Sequence, residues 1–304
     1  MYIFIVNPIA GNGGAKKAYS KISKTEAFKQ IDSKCFFTEY FGHAERIAKH
    51  LPIDFPGIVT CVVVIGGDGT LHEVINGLCK PVVPVSFIPA GSGNDFARGC
   101  DIKGKPVEIF QRIVRQNSKS YWLGCYQEIG KSPRNIVNSI GFGFDAEIAK
   151  AVNNSKYKKL LSNLHLGKIS YVIGLIKVLF SFRPMNLEII VDGKKYKLSN
   201  CWMVTIAQHP FYGGGMKIIP NATIQAGIFP VLFIHSISKW KVLGVFMTVF
   251  SGKHVNFKEV ELMEANRLEI SSKKKIPYQV DGQTDVCFSC VITKQQDAIE
   301  VVGA

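Results

Sequence analysis

The chain has 304 residues, 47 % of them hydrophobic, which is enough for one large domain or two moderate ones and excludes a wholly disordered chain. Lys and Arg outnumber Asp and Glu by 37 to 23, which gives a formal charge of +14. This excess predicts an anionic partner, namely nucleic acid, a phosphate-bearing small molecule or acidic lipid headgroups, unless it serves solubility alone.

We expect no targeting signal at the start of the chain. An apolar run, Tyr2–Val6, is ended at once by Asn7-Pro8, and no basic segment precedes it, so we expect no signal peptide. No run of about 18 uncharged apolar residues occurs, so we expect any membrane contact to be peripheral.

The cysteines indicate reduced thiols in a cytoplasmic protein rather than a zinc site. Cys287 and Cys290 lie on a predicted strand from Val286 to Thr293, where side chains three apart point to opposite faces. The eight cysteines are otherwise scattered: Cys35, Cys61, Cys79, Cys100, Cys125, Cys201, Cys287 and Cys290.

The first third of the chain alternates strand and helix patterns. The predicted strands are Tyr2–Val6, Lys34–Thr38, Cys61–Ile65 and Val85–Ile88, and the predicted helices are Ala15–Lys24, Ala44–His50 and Leu71–Leu78. The β-branched run Cys61–Ile65 is typical of a central strand that is covered on both faces. This alternation predicts an α/β domain with a doubly wound parallel sheet, over residues 1–125.

Beyond residue 125 the pattern predicts a second, mostly β, sandwich-like domain over residues 126–294. Its predicted strands are Asn135–Ile140, Asn186–Val191, Cys201–Ala207, Ile228–His235, Arg267–Ser271 and Tyr278–Val280. Two apolar helices, Lys168–Phe182 and Lys239–Phe250, are inserted among them.

The strongest chemical signal is Gly66-Gly67-Asp68-Gly69-Thr70, which follows a buried strand and precedes a helix. Glycines there let backbone N–H groups approach phosphates, and a carboxylate in the turn can hold a metal ion or orient a hydroxyl. Thr70 with Glu73 fits a capping box that would start the helix at this loop. An ordinary Gly-Asp-Gly turn is the alternative.

Two further glycine loops leave predicted strands. Pro89 to Arg98 contains Gly91-Ser92-Gly93-Asn94-Asp95, and ligands bind at the carboxyl ends of strands in open α/β sheets. Asn7 to Gly14 contains Gly11 and is followed by Lys16 and Lys17, either of which could meet phosphate or simply start a solvated helix.

Together these loops resemble the diacylglycerol kinase catalytic family, which includes bacterial lipid kinases and the sphingosine and ceramide kinases. The resemblance covers nearly the whole chain. Besides the three loops it rests on Thr38 with Gly42-His43-Ala44, Asn138 to Gly143-Phe144-Asp145-Ala146, Gly213-Gly214-Gly215 and Asp281-Gly282. NAD kinases share the first motif, whereas the run from Gly91 to Arg98 looks like the lipid kinases.

The resemblance implies a site in a cleft between two domains, with ATP and Mg²⁺ against the first-domain loops and lipid entering from the second. It also implies that the chain returns to the first domain over residues 295–304. Asp68 is the implied metal and phosphate partner, Asn94 and Asp95 border the nucleotide, and Asp281 is the implied base for the lipid hydroxyl. The full implied cofactor-binding set is Asn7, Gly11, Lys17, Thr38, Gly66, Gly67, Asp68, Gly69, Thr70, Gly91, Ser92, Gly93, Asn94 and Asp95.

The sequence departs from the family at three acidic positions. Gln283 stands where the family has Glu, and Ala226 and Trp122 stand where it has Asp. These acids are linked to a structural Mg²⁺ in some bacterial members, so we do not predict that ion here. Four histidines, His43, His72, His209 and His254, are isolated in sequence, which is more typical of a structural than of a catalytic role.

We therefore predict an ATP-dependent lipid kinase that is cytoplasmic and peripherally bound to anionic membrane. A catalytically weak lipid- or nucleotide-binding homologue and an NAD-kinase-like enzyme for a soluble substrate remain alternatives. We expect no nucleic-acid partner and leave a homodimer open. The identity of the lipid, diacylglycerol-like or otherwise, is also open.

Overall fold

A computed structural model describes residues 1–78, 83–154 and 167–304 of the chain. These residues form two compact units. The first unit comprises Met1–Tyr121 and Asp297–Ala304, and the second comprises Trp122–Gln296. The boundaries expected from the sequence were after residue 125 and before residue 295. Cys79 lies outside the described residues.

The first unit is built on one sheet in the order β2-β1-β3-β4-β17-β5. Strands β1 to β4 run parallel to one another, and β17 joins β4 in parallel and β5 antiparallel. Every residue of β1 and β3 is buried, as expected for strands covered on both faces. The bounds are β1 Tyr2–Val6, β2 Ser33–Phe37, β3 Cys61–Gly66, β4 Val85–Pro89, β5 Ser118–Tyr121 and β17 Ile299–Val302.

Helices connect the parallel strands, which confirms the α/β class. Their bounds are α1 Ala10–Ile22, α2 Glu26–Lys29, α3 His43–Asp54, α4 Asp68–Gly77, α5 Asp95–Gly99 and α6 Pro106–Val114. Helix α4 begins at Asp68, three residues before the predicted start at Leu71. The first turn of α4 therefore includes the carboxylate that the sequence placed in a loop.

The predicted capping box at the start of α4 is wrong. The structure finds no side-chain cap there, and Thr70 lies inside the helix. The Glu73 carboxylate instead accepts the Ala44 N–H at 3.2 Å, at the start of α3. Helices α3 and α4 pack side by side, so a buried carboxylate on α4 reaches a first-turn amide of α3 that has no partner within its own helix.

The second unit is mostly β, which confirms the predicted class. Its main sheet runs β14-β13-β10-β8-β15-β16-β6-β7, and β9 pairs with both β10 and β15. The strand bounds are β6 Gly124–Glu128, β7 Arg134–Ile136, β8 Ser139–Gly143, β9 Met185–Val191, β10 Lys194–Ala207, β11 Phe211–Tyr212, β12 Met216–Lys217, β13 Phe229–His235, β14 Val260–Ala265, β15 Arg267–Val280 and β16 Gln283–Lys294.

Two cores lie on opposite faces of this sheet. Strand β13 shows the alternation, because Val231 and Phe233 enter one core while Leu232 and Ile234 enter the other. The first core is lined by strands. The second lies under the helices α7 Phe144–Asn153, α8 Gly167–Ser181 and α9 Lys239–Thr248, and a 3₁₀ turn, Lys253–Asn256, follows α9.

Strand lengths differ from the sequence prediction in two places. The predicted strand Asn135–Ile140 is two strands, β7 and β8, because the chain turns its amides at residues 137 and 138 toward a carboxylate instead of a neighbouring strand. The predicted strands Arg267–Ser271 and Tyr278–Val280 are parts of one long strand, β15, which carries an irregularity between Ser271 and Ile276.

The same irregularity corrects the expectation for Cys287 and Cys290. Both side chains are buried in the strand-lined core rather than facing opposite ways. The register of β16 against β15 shifts between the two cysteines, which breaks the simple alternation of an extended strand.

Candidate active site

Three glycine loops meet at the carboxyl edge of the first unit's sheet. The Asn7 N–H donates to the carbonyl of Ile65 at 3.0 Å, and the Ala90 N–H donates to that of Gly66 at 2.7 Å. The Asn7 side-chain amide also donates to the Thr70 hydroxyl at 3.1 Å. The loops after β1, β3 and β4 are therefore tied into one surface, at the edge where open α/β sheets bind ligands.

Glycine is required where these loops touch. A Cβ on Gly11 would lie 2.0 Å from the carbonyl oxygen of Ala90, and one on Gly91 would lie 2.6 Å from the Gly67 Cα. Real Cβ atoms do not approach so closely, so the loops pack backbone against backbone. Such close packing leaves main-chain N–H groups, rather than side chains, to form the surface.

The loop after β1 has an unusual backbone. Gly11, Asn12 and Gly13 are all left-handed, with φ of 56°, 53° and 85°, and the regular helix follows them. Consecutive left-handed residues are costly and cluster at functional sites. Lys16 and Lys17 are exposed on the first regular turn of α1.

Asp68 joins two of the loops. Its carboxylate oxygens accept the Asp95 N–H at 3.2 Å and the Phe96 N–H at 3.0 Å, at the start of α5. Asp68 is half-buried, and the neighbouring Gly69 is exposed. A Cβ on Gly93 would come within 3.0 Å of this carboxylate. Asp68 thus lies at the loop surface while holding the loop after β4 in place.

Asn94 and Asp95 shape that loop. Asn94 is left-handed, with φ of 53°, and its side chain accepts the Gly91 N–H at 2.9 Å and donates to the Gly91 carbonyl at 2.8 Å. The buried Asp95 carboxylate pairs with Arg98 at 2.9 Å, and Arg98 also donates to the Gly93 carbonyl. Contact of either side chain with a nucleotide stays a prediction.

Thr38, another predicted first-unit residue, directly follows β2. Its N–H donates to the carbonyl of Val6 at 2.9 Å, and the side chain is buried. The following turn leads through the left-handed Gly42 into α3. Thr38 therefore lies at the same sheet edge as Asn7, one strand away.

Asp281 lies in the second unit, in the two-residue turn between β15 and β16. Its carboxylate accepts three backbone N–H groups, from Val137 at 2.9 Å, Asn138 at 2.7 Å and Ser139 at 3.0 Å. Asp281 and Gly282 are both left-handed, with φ of 50° and 87°. Gln283, the neutral replacement for the family's acid, begins β16.

A buried polar network lies beneath Asp281. The Asn138 side-chain oxygen is 2.9 Å from Nε2 of His209, and the Asn138 carbonyl accepts the Gln208 N–H at 2.8 Å. Burial lowers the pKa of His209 to about 4, and this effect outweighs the negative charge of Asp281, which acts to raise the same pKa. The sequence left His209 as structural and missed Gln208, whose burial depends on strand packing.

Lys294 extends this network. Its ammonium group donates to the Trp122 carbonyl at 2.9 Å and to the Gln208 side chain. Burial lowers its pKa to about 8. The sequence alone did not predict a role for Lys294, because a lysine at the end of a strand is usually solvent-exposed. The Lys294 ammonium group thus lies against the main chain at Trp122, the position where the family has an acid.

Asp145 is a second buried carboxylate that the sequence noted only as part of a motif. The Tyr212 hydroxyl donates to it at 3.1 Å, and a Cβ on Gly141 would lie 1.7 Å from its oxygen. Burial raises the pKa of Asp145 to about 6. Position 141 therefore requires glycine, because the Asp145 carboxylate occupies the space that a side chain there would need.

Among the described residues, no group of three His, Cys, Asp or Glu side chains is placed to hold a metal ion. Nor does the described part of the chain contain a helix of the length and apolar character needed to cross a bilayer.

Comparison with known protein families and sequences finds matches across both units. Residues 1–126 match the diacylglycerol kinase catalytic domain, and residues 138–303 match the YegS C-terminal NAD kinase beta sandwich-like domain. A Bacillus subtilis (strain 168) protein named "Putative lipid kinase YtlR" is 30 % identical over 287 residues, with 93 % of each chain covered. A Mycobacterium tuberculosis protein named diacylglycerol kinase is 26 % identical, covering 97 % of this chain and 91 % of its own.

The fold also recurs among solved structures. A crystal structure of a diacylglycerol kinase from Bacillus anthracis str. Sterne matches with a TM-score of 0.70 at 19 % identity. The match covers 99 % of this chain and 96 % of that one. At this identity the likeness concerns the fold alone.

Proposed function

Because this chain belongs to the diacylglycerol kinase catalytic-domain family, with its YegS-type C-terminal domain, we propose that it transfers the γ-phosphoryl group of ATP to the hydroxyl of a diacylglycerol-like lipid at a membrane surface. The family and the names of its relatives support a lipid-kinase type of enzyme. The phosphoryl donor, the acceptor lipid and the place of action are the parts that we propose.

The observation that carries this proposal is the meeting of the three glycine loops around Asp68. Phosphoryl transfer depends on positioning and on neutralising charge more than on covalent chemistry. Backbone N–H groups on loops that glycine keeps bare can surround a polyphosphate without side-chain obstruction. Lys17, exposed on the first regular turn of α1, would add positive charge beside the phosphates.

The residues present fit Mg²⁺ delivered with ATP. Mg²⁺ keeps several waters and is usually bound through one or two carboxylates together with substrate phosphates. Each Asp68 oxygen has two lone-pair directions, so accepting an amide does not prevent it from accepting a metal-bound water. When bound, the ion would neutralise phosphate charge, and Asp68 would hold it.

Asp281 is the proposed base. As the lipid oxygen bonds to the γ-phosphorus, the bond from that phosphorus to the ADP oxygen breaks, and the hydroxyl proton passes to a carboxylate. Three backbone amides hold the Asp281 carboxylate in one orientation. Such orientation favours proton acceptance from a fixed direction, although the same hydrogen bonds also compete for the lone pairs.

That competition supports a second candidate, a homologue that binds lipid or nucleotide but turns over slowly. In this alternative Asp281 serves as a structural acceptor for residues 137–139, and Gln283 supplies no second acid. Turnover measurements separate the two functions directly.

The test is a screen of lipids in mixed micelles with γ-labelled ATP and Mg²⁺, with NAD as a soluble acceptor in parallel. We expect label in a lipid that carries a free hydroxyl. The Asp68→Asn variant, purified identically, controls for contaminating kinases. Label in NAD alone would replace the lipid assignment, and nucleotide binding without label in any acceptor would favour the binding protein.

A further inference from the structure

The outer faces of α8 and α9 in the second unit carry large apolar side chains that remain exposed among the residues the structure describes. Exposed on α8 are Ile173 (40 %), Ile176 (49 %) and Phe180 (57 %). Exposed on α9 are Trp240 (73 %) and Met247 (67 %). We call these five side chains the α8–α9 face.

The α8–α9 face is not a frayed edge of the core. Residues 173, 176 and 180 are spaced by three and four, and residues 240 and 247 lie seven apart, or about two turns, so each set shares one side of its helix. The opposite sides are buried in the helix-covered core, through Leu175, Val178 and Leu179 on α8 and Val242 and Val245 on α9. Each helix therefore has two apolar sides, of which one packs and one is exposed.

The two helices join into one surface. The rings of Phe180 and Trp240 meet edge to face with centroids 5.8 Å apart, and the Lys239 ammonium donates to the Phe180 carbonyl at 2.7 Å. Contiguous exposed apolar surface of this kind marks an interaction site more often than a chance feature.

The charge around the face selects the partner. Residues 173–187 and 236–258 contain no Asp or Glu, and their basic residues are Lys177, Arg183, Lys239, Lys241, Lys253 and Lys258. Glu259, the next residue, is paired with Lys241 at 2.6 Å. An apolar surface with exposed Trp and flanking lysines is the pattern of helices that lie in the headgroup region of anionic membranes.

We propose that the α8–α9 face is the surface by which this protein docks on an anionic lipid bilayer. Ile176, Phe180, Trp240 and Met247 enter the headgroup and upper acyl region, while Lys177 and Lys239 contact acidic headgroups. The inference rests on the proposed lipid-kinase function, which gives the protein a reason to dock on a membrane. Its test is independent of that function, since vesicle binding needs neither ATP nor turnover.

The test is partitioning of the full chain onto vesicles of phosphatidylglycerol and phosphatidylcholine, compared with phosphatidylcholine alone, at low and at physiological salt. The variant with Ile176→Ser and Phe180→Ser should bind the anionic vesicles at least about tenfold more weakly, because two exposed side chains no longer leave water. Ile129→Ser, at an 85 % exposed position elsewhere in the second unit, should bind like the wild type.

Charge is tested by a matched pair. Lys177→Glu should weaken binding to anionic vesicles by about fivefold or more per unit charge at low salt, and less at physiological salt. Lys195→Glu changes the net charge equally at an exposed position on β10 and should have a smaller effect. Equal loss in both variants would mean that only total charge matters and would overturn the assignment to this face.

Trp240 provides a direct readout, because it is one of three tryptophans and Trp202 is buried. Anionic vesicles should shift the emission to shorter wavelength, and Trp240→Phe should remove the shift. Wild-type partitioning by the Ile176→Ser and Phe180→Ser variant would overturn the proposal. So would a change from dimer to monomer in this variant without a loss of vesicle binding, since the face would then fit a second copy.

The docking proposal and the kinase proposal fail separately. The Ile176→Ser and Phe180→Ser variant should phosphorylate a dispersed short-chain lipid at the wild-type rate, and only its rate on vesicles should fall. Vesicle binding through this face without phosphorylation of any lipid would leave the docking surface standing and remove the kinase activity.

Discussion

Asp68 combines two tasks in one side chain, since its carboxylate both anchors α5 and lies at the loop surface proposed for phosphate. We expect Asp68→Ala and Asp68→Asn to lower the phosphorylation rate by on the order of 10²-fold or more, because charge at a phosphoryl-transfer site is lost. Asp68→Asn keeps the size of the side chain and one acceptor oxygen, so its thermal unfolding midpoint should lie closer to that of the wild type than the midpoint of Asp68→Ala does. Wild-type turnover in Asp68→Asn would remove this carboxylate from the chemistry.

Asp281 poses a sharper problem, because its carboxylate has a visible structural role. The chain offers a matched control in Asp192, in the Asp192-Gly193 turn between β9 and β10. Asp192 and Gly193 are also left-handed, with φ of 46° and 84°, and the Asp192 carboxylate accepts the Asn266 N–H at 3.1 Å and the Arg267 N–H at 2.8 Å. It repeats the local arrangement of Asp281 away from the proposed chemistry.

We expect Asp281→Asn to cost about 1–3 kcal/mol of unfolding free energy, because an amide cannot accept every N–H that a carboxylate accepts. Asp192 is exposed, so Asp192→Asn should cost less, because water can satisfy an N–H that loses its acceptor. Only Asp281→Asn should also lower turnover, by roughly 10²- to 10⁴-fold, as for loss of a general base. Denaturation curves and steady-state rates on both variants make the comparison. Full activity in Asp281→Asn would refute the base assignment.

Gln283 tests the same carboxylate from its neighbour. The sequence suggested that the two side chains point the same way along an extended strand, but Asp281 and Gly282 form a left-handed turn and Gln283 begins the next strand. Gln283→Glu would still add a second carboxylate only two residues from Asp281. We expect an active enzyme whose pH–rate profile is displaced, because two close carboxylates disfavour double ionisation. An unchanged profile would mean that Gln283 is a polar turn residue without influence on the reaction.

At the scale of elements, the contact between the loops after β1 and β4 depends on Gly11 having no side chain. We expect Gly11→Ala to lower both the thermal midpoint and nucleotide affinity, because its Cβ would lie 2.0 Å from the Ala90 carbonyl oxygen. Gly13→Ala is the matched control. Gly13 is also left-handed, with φ of 85°, but has no atom within 4 Å of the added Cβ.

Gly13→Ala should therefore cost only the left-handed backbone, about 1–2 kcal/mol. Thermal unfolding and equilibrium nucleotide binding on both variants supply the comparison. If the two substitutions have equal effects, backbone strain rather than loop contact decides the requirement for glycine.

At the scale of the whole molecule, two buried groups in the second unit give opposite pH dependences of stability. The pKa of His209 falls from 6.5 to about 4 on folding, so the unfolded state binds the proton first and stability is lost as the pH falls through this window. The pKa of Asp145 rises from 3.8 to about 6, so the folded state binds the proton first and stability increases over nearly the same window.

We expect these two contributions to cancel in large part in the wild type, since each amounts to about 3 kcal/mol. Asp145→Asn should expose the loss of stability below pH 6.5, and His209→Gln should expose the gain below pH 6. Unfolding free energies of the second unit's transition, measured by denaturant at several pH values between 4 and 8, give the two slopes. Slopes of the same sign in the two variants would contradict the assignment.

Much of this architecture was accessible from the amino-acid order, because the signals are local. A continuous apolar run such as Cys61–Ile65 indicates a strand covered on both faces, and a glycine loop directly after it indicates a turn at the carboxyl edge of a parallel sheet. The alternation of such units predicts the α/β class. Asp68 and Asn94 could be named as candidates because each stands among glycines directly after a predicted strand, whereas Asp281 could be named only through the family resemblance of Asp281-Gly282.

What folding decided was the partner of each polar side chain. Glu73 caps a helix 29 residues away instead of its own, and Asp281 accepts amides from residues up to 144 positions away. Such hydrogen bonds depend on which elements become neighbours, and no period or spacing along the chain encodes that. The same holds for the outer faces of α8 and α9, because an apolar residue at helical spacing is buried or exposed according to what packs against it.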